Sequence, residues 1–204
     1  MRKNFIVLLL LLSSTAFCQL HNDQYSLEAG YGFGISGSPT TTSLTNFNAG
    51  FRYMVDDYWG LKFDAGFSRF EVTDSPVTGT EYTRISAQGV HNLGRTLNLR
   101  GLTNNSIGLL AHGGLGYSAL KSLVTEEKDN IGNVIIGITP QIRLLESLAL
   151  HADLSYILNF TQHYNFAGLH PDTDKHEAFT GHLTTFTLGL TYYFGRNGSS
   201  SDWK

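Results

Sequence analysis

The chain is poor in charged residues, although it is long enough for a domain of ordinary size. Asp, Glu, Lys and Arg make up only 15% of its 204 residues, whereas they make up about 25% of a soluble domain. That leaves too few Lys and Glu side chains to cover the surface of a soluble β-protein. An isoelectric point near 6.2 without a basic run excludes nucleic-acid binding. A net charge of −3 and a hydrophobic content of 41% exclude a disordered chain.

Long hydrophobic runs and cysteines are scarce as well. The apolar run at residues 5–12 is far shorter than the ~20 residues that a membrane-spanning helix needs. Arg2 and Lys3 precede this run and small residues follow it, which predicts a secretory signal peptide over residues 1–18. Lipid attachment to Cys18 is the alternative, although Phe17 does not favour it. Cleavage after Cys18 removes the only cysteine, so we expect the mature chain to form no disulfide.

After residue 18 the hydrophobic pattern has a period of two, which is typical of strands rather than helices. In the first run, Tyr25, Leu27 and Ala29 alternate with polar residues or glycine. Seven similar runs begin near residues 47, 59, 82, 107, 134, 148 and 186, and the fourth is irregular enough to predict a β-bulge. Longer polar links at 37–43, 71–80, 121–132 and 161–181 alternate with shorter ones at 56–57 and 145–147, whereas the link at 94–106 is longer than a turn. The pattern therefore predicts eight strands with long and short connections at opposite ends.

One face of every predicted strand is apolar and nearly free of charge, whereas the other carries Gly, Ser, Asn, Thr and mixed charges. An apolar face turned outward to lipid and a narrow, small-residue interior fit this pattern. Aromatic residues support it, because they fall into two belts, as membrane interfaces select. The belt near the termini contains Tyr25, Tyr53, Tyr58, Trp59, Tyr192 and Phe194, and the other contains Phe33, Phe47, Phe67, Phe70, Tyr82, Tyr117, Phe160 and Phe186.

The last strand resembles the β-signal of outer-membrane proteins, whose polar, glycine, hydrophobic and final aromatic positions are filled by Thr187, Gly189, Tyr192 and Phe194. From Gln24 to Phe194 the chain resembles the eight-stranded transmembrane barrel of the OmpA-like superfamily. This resemblance implies an all-β, eight-stranded antiparallel up-and-down transmembrane β-barrel over residues 19–195. It also implies insertion by the outer-membrane assembly machinery, an N-terminus in the periplasm and a short polar periplasmic tail at 196–204. The tail is too short for the peptidoglycan-binding domain that the family often adds.

A set of charged and histidine residues falls on the polar face of the strands. Isolated charges in a narrow lumen would be costly, so mixed signs predict a paired network that fixes the barrel. A gate or a proton path is the alternative. With a first hairpin turning near residue 40, Glu28 would lie opposite Arg52. The predicted lumen network consists of Glu28, Arg52, Lys62, Asp64, Arg84, His112, Arg143, His151 and Asp153.

Other motifs give weaker indications of a binding, catalytic or metal site. Residues 32–37 spell G-x-G-x-x-G, but Pro39 follows instead of a helix, so we do not expect a dinucleotide site. His151 and Ser155 share a face but lie low in the barrel, and His182 and Thr184 near the outer end lack a serine in register. The last long link could ligate a metal, yet no ligand spacing stands out among His163, His170, Asp172, Asp174, His176, Glu177 and His182. We therefore expect no enzymatic activity, no cofactor and no metal.

The sequence thus predicts an integral protein of the outer membrane with a structural or surface-interaction role. Its expected partners are outer-membrane lipid, the assembly machinery and an unidentified ligand of the outer loops. A narrow conduit for ions or very small solutes is one alternative, and a lipid-modifying outer-membrane enzyme is the other.

Overall fold

The computed structural model describes residues 24–37, 40–72, 78–99, 103–125, 127–169, 178–195 and Asp202. The predicted signal peptide at 1–18 lies outside these residues, as does the tail at 196–204 apart from Asp202. Among the described residues, no helix is both long and apolar enough to span a membrane. The elements are β1 (Gln24–Ser36), β2 (Thr42–Met54), β3 (Trp59–Val72), β4 (Thr78–Asn92), α1 (Leu93–Thr96), β5 (Ile107–Ser122), β6 (Lys128–Leu145), β7 (Leu148–Gln162) and β8 (Phe179–Phe194).

The strands form one closed barrel in sequence order. Each strand pairs antiparallel with the next, and β8 pairs antiparallel with β1 to complete the ring. Strand lengths of 13 to 18 residues exceed the ~9–11 tilted residues that cross a membrane. The eight-stranded up-and-down barrel predicted from the period-two pattern is therefore confirmed.

The expected bulge in the fourth strand is wrong. The register of β4 runs without a break against both β3 and β5. Register shifts occur instead in the pairs β1–β2, β6–β7 and β7–β8. These shifts lie near the ends of hairpins, where a strand leaves the ladder to enter its link, and one falls at the glycine pair Gly32 and Gly34.

The two ends of the barrel differ in their connections. We call the end where β1 begins and β8 ends the periplasmic end, following the orientation that the resemblance implies, and the opposite end the outer end. β2, β4 and β6 end at the periplasmic end, where they lead into 55–58, α1 and 146–147, and β1, β3, β5 and β7 end at the outer end. At the periplasmic end Asn92 caps α1 by accepting the Arg95 N–H at 3.0 Å, and Arg95 pairs with Asp57 at 2.7 Å.

The exterior of the barrel is apolar. Leu115 and Phe63 are 68% and 55% exposed, and similar side chains cover the outward face of every strand. Exposure of so much contiguous apolar surface requires a lipid environment. An aromatic belt at the periplasmic end includes Tyr25, whose ring centroid lies 5.0 Å from Tyr53 and 5.6 Å from Phe194.

Two aromatic residues assigned to the outer belt face the lumen instead. Phe70 and Tyr82 are fully buried inside the barrel. Side chains alternate strictly along a strand, and Phe67 and Phe70 are separated by an odd number of positions. Since Phe67 points to lipid, Phe70 points inward. The prediction that placed Phe70 and Tyr82 in the lipid-facing outer belt is therefore wrong.

The seam between β1 and β8 depends on a glycine of the predicted β-signal. A Cβ added at Gly189 would lie 2.1 Å from the carbonyl oxygen of Ala29 and 2.6 Å from the Cα of Gly30. These are backbone atoms, which cannot move aside without opening the ladder. The close approach of the two strands therefore requires glycine at this position.

Candidate functional site

Most of the buried charged side chains among the described residues lie in the lumen. Eight of the nine side chains predicted for the lumen network are buried there, because each occupies an inward position of its strand. They come from six of the eight strands, and we call them, with Asp202, the charge layer: Glu28, Arg52, Lys62, Asp64, Arg84, His112, His151 and Asp153.

Glu28 bridges two cations in the charge layer. Its Oε1 accepts the Arg52 Nε–H at 2.8 Å, and its Oε2 lies 2.9 Å from the Lys62 Nζ. The expected register is wrong by two positions, because Arg52 lies opposite Ser26 and Glu28 lies opposite Gly50. The pair forms diagonally, which long side chains on neighbouring strands can do.

Asp153 gathers four partners on the far side of the same layer. Its Oδ2 accepts the Thr139 hydroxyl at 2.8 Å and lies 2.9 Å from His112 Nε2 and 3.9 Å from Lys62 Nζ. Its Oδ1 accepts the Ser155 hydroxyl at 2.6 Å. Lys62 therefore connects Asp153 to Glu28.

A second ion pair extends the layer around the barrel wall. Arg84 Nη2 donates to Asp64 Oδ2 at 3.1 Å, and the Ser86 hydroxyl donates to Asp64 Oδ1. Gln88 Nε2 donates to the Ser86 hydroxyl at 2.8 Å, while its Oε1 lies 2.6 Å from His112 Nδ1. The contacts thus form one continuous chain from Arg52 to Arg84.

Two predicted members stand apart from these ion pairs. His151 is buried, and its Nδ1 lies 2.9 Å from the Thr191 hydroxyl rather than against a carboxylate. Arg143 is exposed, so its assignment to the lumen is wrong. Its backbone still pairs with the buried, inward-facing Ala149, so the parity is kept. Arg143 lies at the periplasmic rim, one residue past the end of the β5 ladder, where its side chain is open to solvent.

Asp202 is a member that sequence analysis missed. Its two carboxylate oxygens accept Arg52 Nη1–H at 3.0 and 3.1 Å, and Oδ2 also accepts the Tyr193 hydroxyl at 2.7 Å. Asp202 lies beyond the last strand, where the period-two pattern has ended, so no local signal identifies it. Tyr193 was the available clue, because its parity places it inside the barrel between the lipid-facing Tyr192 and Phe194.

The outer half of the lumen is filled by apolar and aromatic side chains, which we call the apolar plug. Tyr164 and Phe166 come from the link after β7 and fold into the barrel, where the ring centroid of Phe166 lies 4.7 Å from that of Phe70. The Thr80 hydroxyl holds this link by donating to the Phe166 carbonyl at 3.1 Å. The plug consists of Phe70, Tyr82, Leu120, Ile131, Ile135, Ile157, Tyr164, Phe166 and Leu183.

Within the plug, Tyr82 also makes polar contacts through its hydroxyl. Its hydroxyl donates to Asn159 Oδ1 at 2.9 Å and accepts the Ser118 hydroxyl at 2.8 Å. A buried phenol is thereby paired rather than left unsatisfied.

The other candidate residues do not assemble into a site. Residues 170–177 lie outside the described residues, His163 Nδ1 lies 3.1 Å from Asp129, and the exposed His182 stacks on Tyr156 at 6.1 Å. In the described part of the chain, no group of three or more His, Cys, Asp or Glu side chains could hold a metal ion. Residues 32–36 belong to β1, as their alternation indicated.

The predicted assembly signal occupies both faces of β8. Thr187 is buried in the lumen, Gly189 lies at the seam, and Tyr192 and Phe194 face lipid. Their role in insertion stays a prediction.

No protein-family model matches the chain, and no characterised protein matches it in sequence. Solved structures do match it. Ail, the attachment invasion locus protein of Yersinia pestis, aligns with a TM-score of 0.52 at 16% identity over 85% of this chain and 99% of that chain. The N-terminal barrel of Pseudomonas aeruginosa OprF aligns with a TM-score of 0.53 at 12% identity over 85% and 98%. A major outer membrane protein of Thermus thermophilus aligns with a TM-score of 0.55 at 13% identity over 85% and 100%.

These similarities concern the fold, which is that of eight-stranded outer-membrane barrels. The apolar exterior of the present chain independently requires lipid around the strands. The chain is therefore an outer-membrane β-barrel in contact with membrane lipid, and the predicted location is confirmed.

Proposed function

We propose that this protein is a closed barrel with a structural or surface-interaction role in the outer membrane. The observation that carries the proposal is the filling of the lumen at two successive levels, by the charge layer and by the apolar plug. An ion that entered from the periplasmic end would meet paired buried charges first and a closely packed, mainly apolar region next.

The physical cost of passage supports this role over that of a conduit. An ion crossing the apolar plug would exchange its hydration shell for a few neutral groups, such as those of Tyr82, Ser118 and Asn159, which already bond to one another, and this exchange is costly in a medium of low dielectric constant. An eight-stranded barrel also has an interior just wide enough for side chains to fill. Movement of Phe166 and Tyr164 would be needed before a continuous water path could form.

The geometry also supports a non-enzymatic role. Ser155 is buried and donates a hydrogen bond to Asp153, which lies 2.9 Å from His112 Nε2, while His151 contacts Thr191. A nucleophile needs a base within hydrogen-bond reach and a substrate that can approach it. Ser155 is buried, so its hydroxyl offers a lipid outside the barrel little surface to approach.

The outer rim offers a surface with charges of both signs. Arg69 lies 2.6 Å from Glu71 and 3.4 Å from Glu81, and these strand ends project beyond the apolar exterior. Ail has been crystallised with sucrose octasulfate, an analogue of heparin. The mixed signs of the described rim residues here favour a partner that also carries both signs over a polyanion.

Conductance of the purified barrel in a planar lipid bilayer tests the proposal. We expect the wild-type protein to show negligible conductance and Phe166→Ala with Tyr164→Ala to show brief openings. Phe160→Ala, which removes a lipid-facing ring from the same strand end, is the matched control and should stay closed. A large, steady conductance of the wild-type protein would replace the structural role with that of a conduit.

Mass spectrometry of outer-membrane lipids tests the enzymatic alternative. Lipids from cells with and without the protein should have the same acylation pattern. A mass change that depended on the protein and disappeared in Ser155→Ala would contradict the non-enzymatic role.

A further inference from the structure

We propose that Arg52 and Tyr193 form a carboxylate-binding site at the periplasmic mouth of the lumen, and that Asp202 occupies this site as a tethered ligand that covers the mouth. The proposal goes beyond the structural role above and holds whether or not the barrel conducts. It rests on contacts between described residues of β2, β6 and β8 and on the charge balance of the lumen.

Arg52 and Tyr193 both donate hydrogen bonds to the carboxylate of Asp202. Arg52 Nη1 lies 3.0 and 3.1 Å from the two oxygens of Asp202, and the Tyr193 hydroxyl lies 2.7 Å from one of them. The guanidinium also lies over the Tyr193 ring, 5.6 Å from its centroid. Hydrogen bonds between ionised partners are about twice as strong as neutral ones, so this is a specific site for an anion.

The hydrogen bonds of Tyr193 orient its proton toward Asp202. A phenol has one proton, yet the Tyr193 oxygen lies close to two acceptors, Asp202 Oδ2 and Gln141 Oε1. Gln141 Nε2, meanwhile, is buried without a hydrogen-bond partner among the described residues. A half-turn of the Gln141 amide satisfies both groups, because Nε2 then donates to the Tyr193 oxygen and the phenol donates to Asp202.

The charge balance makes Asp202 a releasable ligand. Without it, the layer already holds three carboxylates, of Glu28, Asp64 and Asp153, and three cations, of Arg52, Lys62 and Arg84. Asp202 is therefore a fourth carboxylate that the fixed charges do not require. When it leaves, Arg52 keeps Glu28 at 2.8 Å, so no cation is left without a counter-ion.

The position of Asp202 in the chain supports docking by a tether. Asp202 follows Gly195 by seven residues and is attached through the end of β8. A group attached to the same chain a few residues from its site has an effective concentration that can reach the millimolar range. A contact that would be weak between separate molecules is thus well occupied within one chain.

Reactivity of a buried thiol tests whether Asp202 covers the mouth. In the full chain with Cys18→Ser, Met54→Cys places a single thiol beside the site, because Met54 is 1% exposed and its Sδ lies 3.6 Å from Arg52 Nη1. The folded barrel in detergent micelles is treated with an anionic thiosulfonate, which Arg52 attracts. We expect Asp202→Asn, or a chain ending at Gly195, to react at least tenfold faster.

Two controls separate opening of the mouth from general loosening. Glu146→Gln removes one negative charge from an exposed periplasmic turn and should change the rate less than twofold. Ser118→Cys reports on a fully buried position toward the outer end, and its rate should not respond to Asp202→Asn. An equal increase at both thiols would show that Asp202 stabilises the whole barrel, and the proposal would be overturned.

Addition of the tail as a separate molecule tests the carboxylate chemistry. A peptide of residues 196–204, at millimolar concentration, should slow the reaction of the chain that ends at Gly195. The same peptide with Asn in place of Asp202 should not slow it. Equal protection by the two peptides, or an unchanged thiol rate in both the Asp202→Asn and the shortened chains, would refute a carboxylate site.

Discussion

Replacement of Arg84 tests whether the charge layer consists of ion pairs whose members depend on each other. Arg84 Nη2 lies 3.1 Å from Asp64 Oδ2, and both side chains are buried. Arg84→Leu removes the arginine from Asp64. Among the described residues, Asp64 then keeps one direct partner, the Ser86 hydroxyl. Breaking a buried pair from one side typically costs about 3–5 kcal/mol, because the remaining charge is uncompensated.

Neighbouring arginines provide graded comparisons for this variant. Arg52→Leu should cost less, because Glu28 keeps Lys62 at 2.9 Å and Asp202 can return to water. Arg69→Leu is the exposed control, since its side chain is 45% exposed and exposed pairs contribute about 0–1 kcal/mol. The expected order of destabilisation is therefore Arg84→Leu, then Arg52→Leu, then Arg69→Leu.

The free energy of unfolding can be measured by urea titration in phospholipid micelles, with tryptophan fluorescence and heat-modifiable gel migration as readouts. Adding Asp64→Asn to Arg84→Leu should bring the stability back to within about 1 kcal/mol of wild type, because the buried charge is removed and the amide still accepts from Ser86. The reasoning fails if Arg84→Leu costs no more than Arg69→Leu, or if the second substitution restores nothing.

Three further predictions concern packing, the seam and assembly. Phe166→Ala should lower the free energy of unfolding by about 3–5 kcal/mol through a cavity in the apolar plug, and a urea midpoint equal to that of wild type would contradict the plug. Gly189→Ala should sharply lower the yield of heat-modifiable barrel, because its Cβ would meet the backbone of β1, whereas Gly132→Ala, with nothing within 4 Å of its added Cβ, should fold normally. Phe194→Ala should reduce the amount of barrel recovered in outer-membrane fractions, and undiminished recovery would argue against the β-signal assignment.

Much of the charge layer could be predicted because burial and charge are both local properties of an alternating strand. Glu28, Lys62 and Asp153 occupy positions whose neighbours in sequence are apolar and outward, so their inward direction follows from parity. Which of them pair does not follow. The register between β1 and β2 decides that Arg52 meets Glu28 diagonally, and Lys62 reaches Asp153 across the lumen from β3 to β7.

The apolar plug shows where the period-two pattern no longer distinguishes the inward face of a strand from the outward face. Ile135 is buried in the lumen and Ile136 faces lipid, although the two residues are chemically identical. When both faces of a strand are apolar, alternation cannot indicate which face is inside. Tyr164 and Phe166 lie in a link with no periodicity, and their inward position depends on hydrogen bonds from β4 and β5.

The sequence by itself determined the strand number, the antiparallel order and the lipid-facing rows, because a period of two over eight segments permits few other arrangements in a membrane. Closure of the ring determined the rest. It brought β8 against β1 at Gly189, placed Arg143 at the exposed periplasmic rim, and placed Asp202 beside Arg52. The Arg52–Asp202 contact alone joins residues 150 positions apart, and the local pattern carries no information about a partner that only the closed barrel brings near.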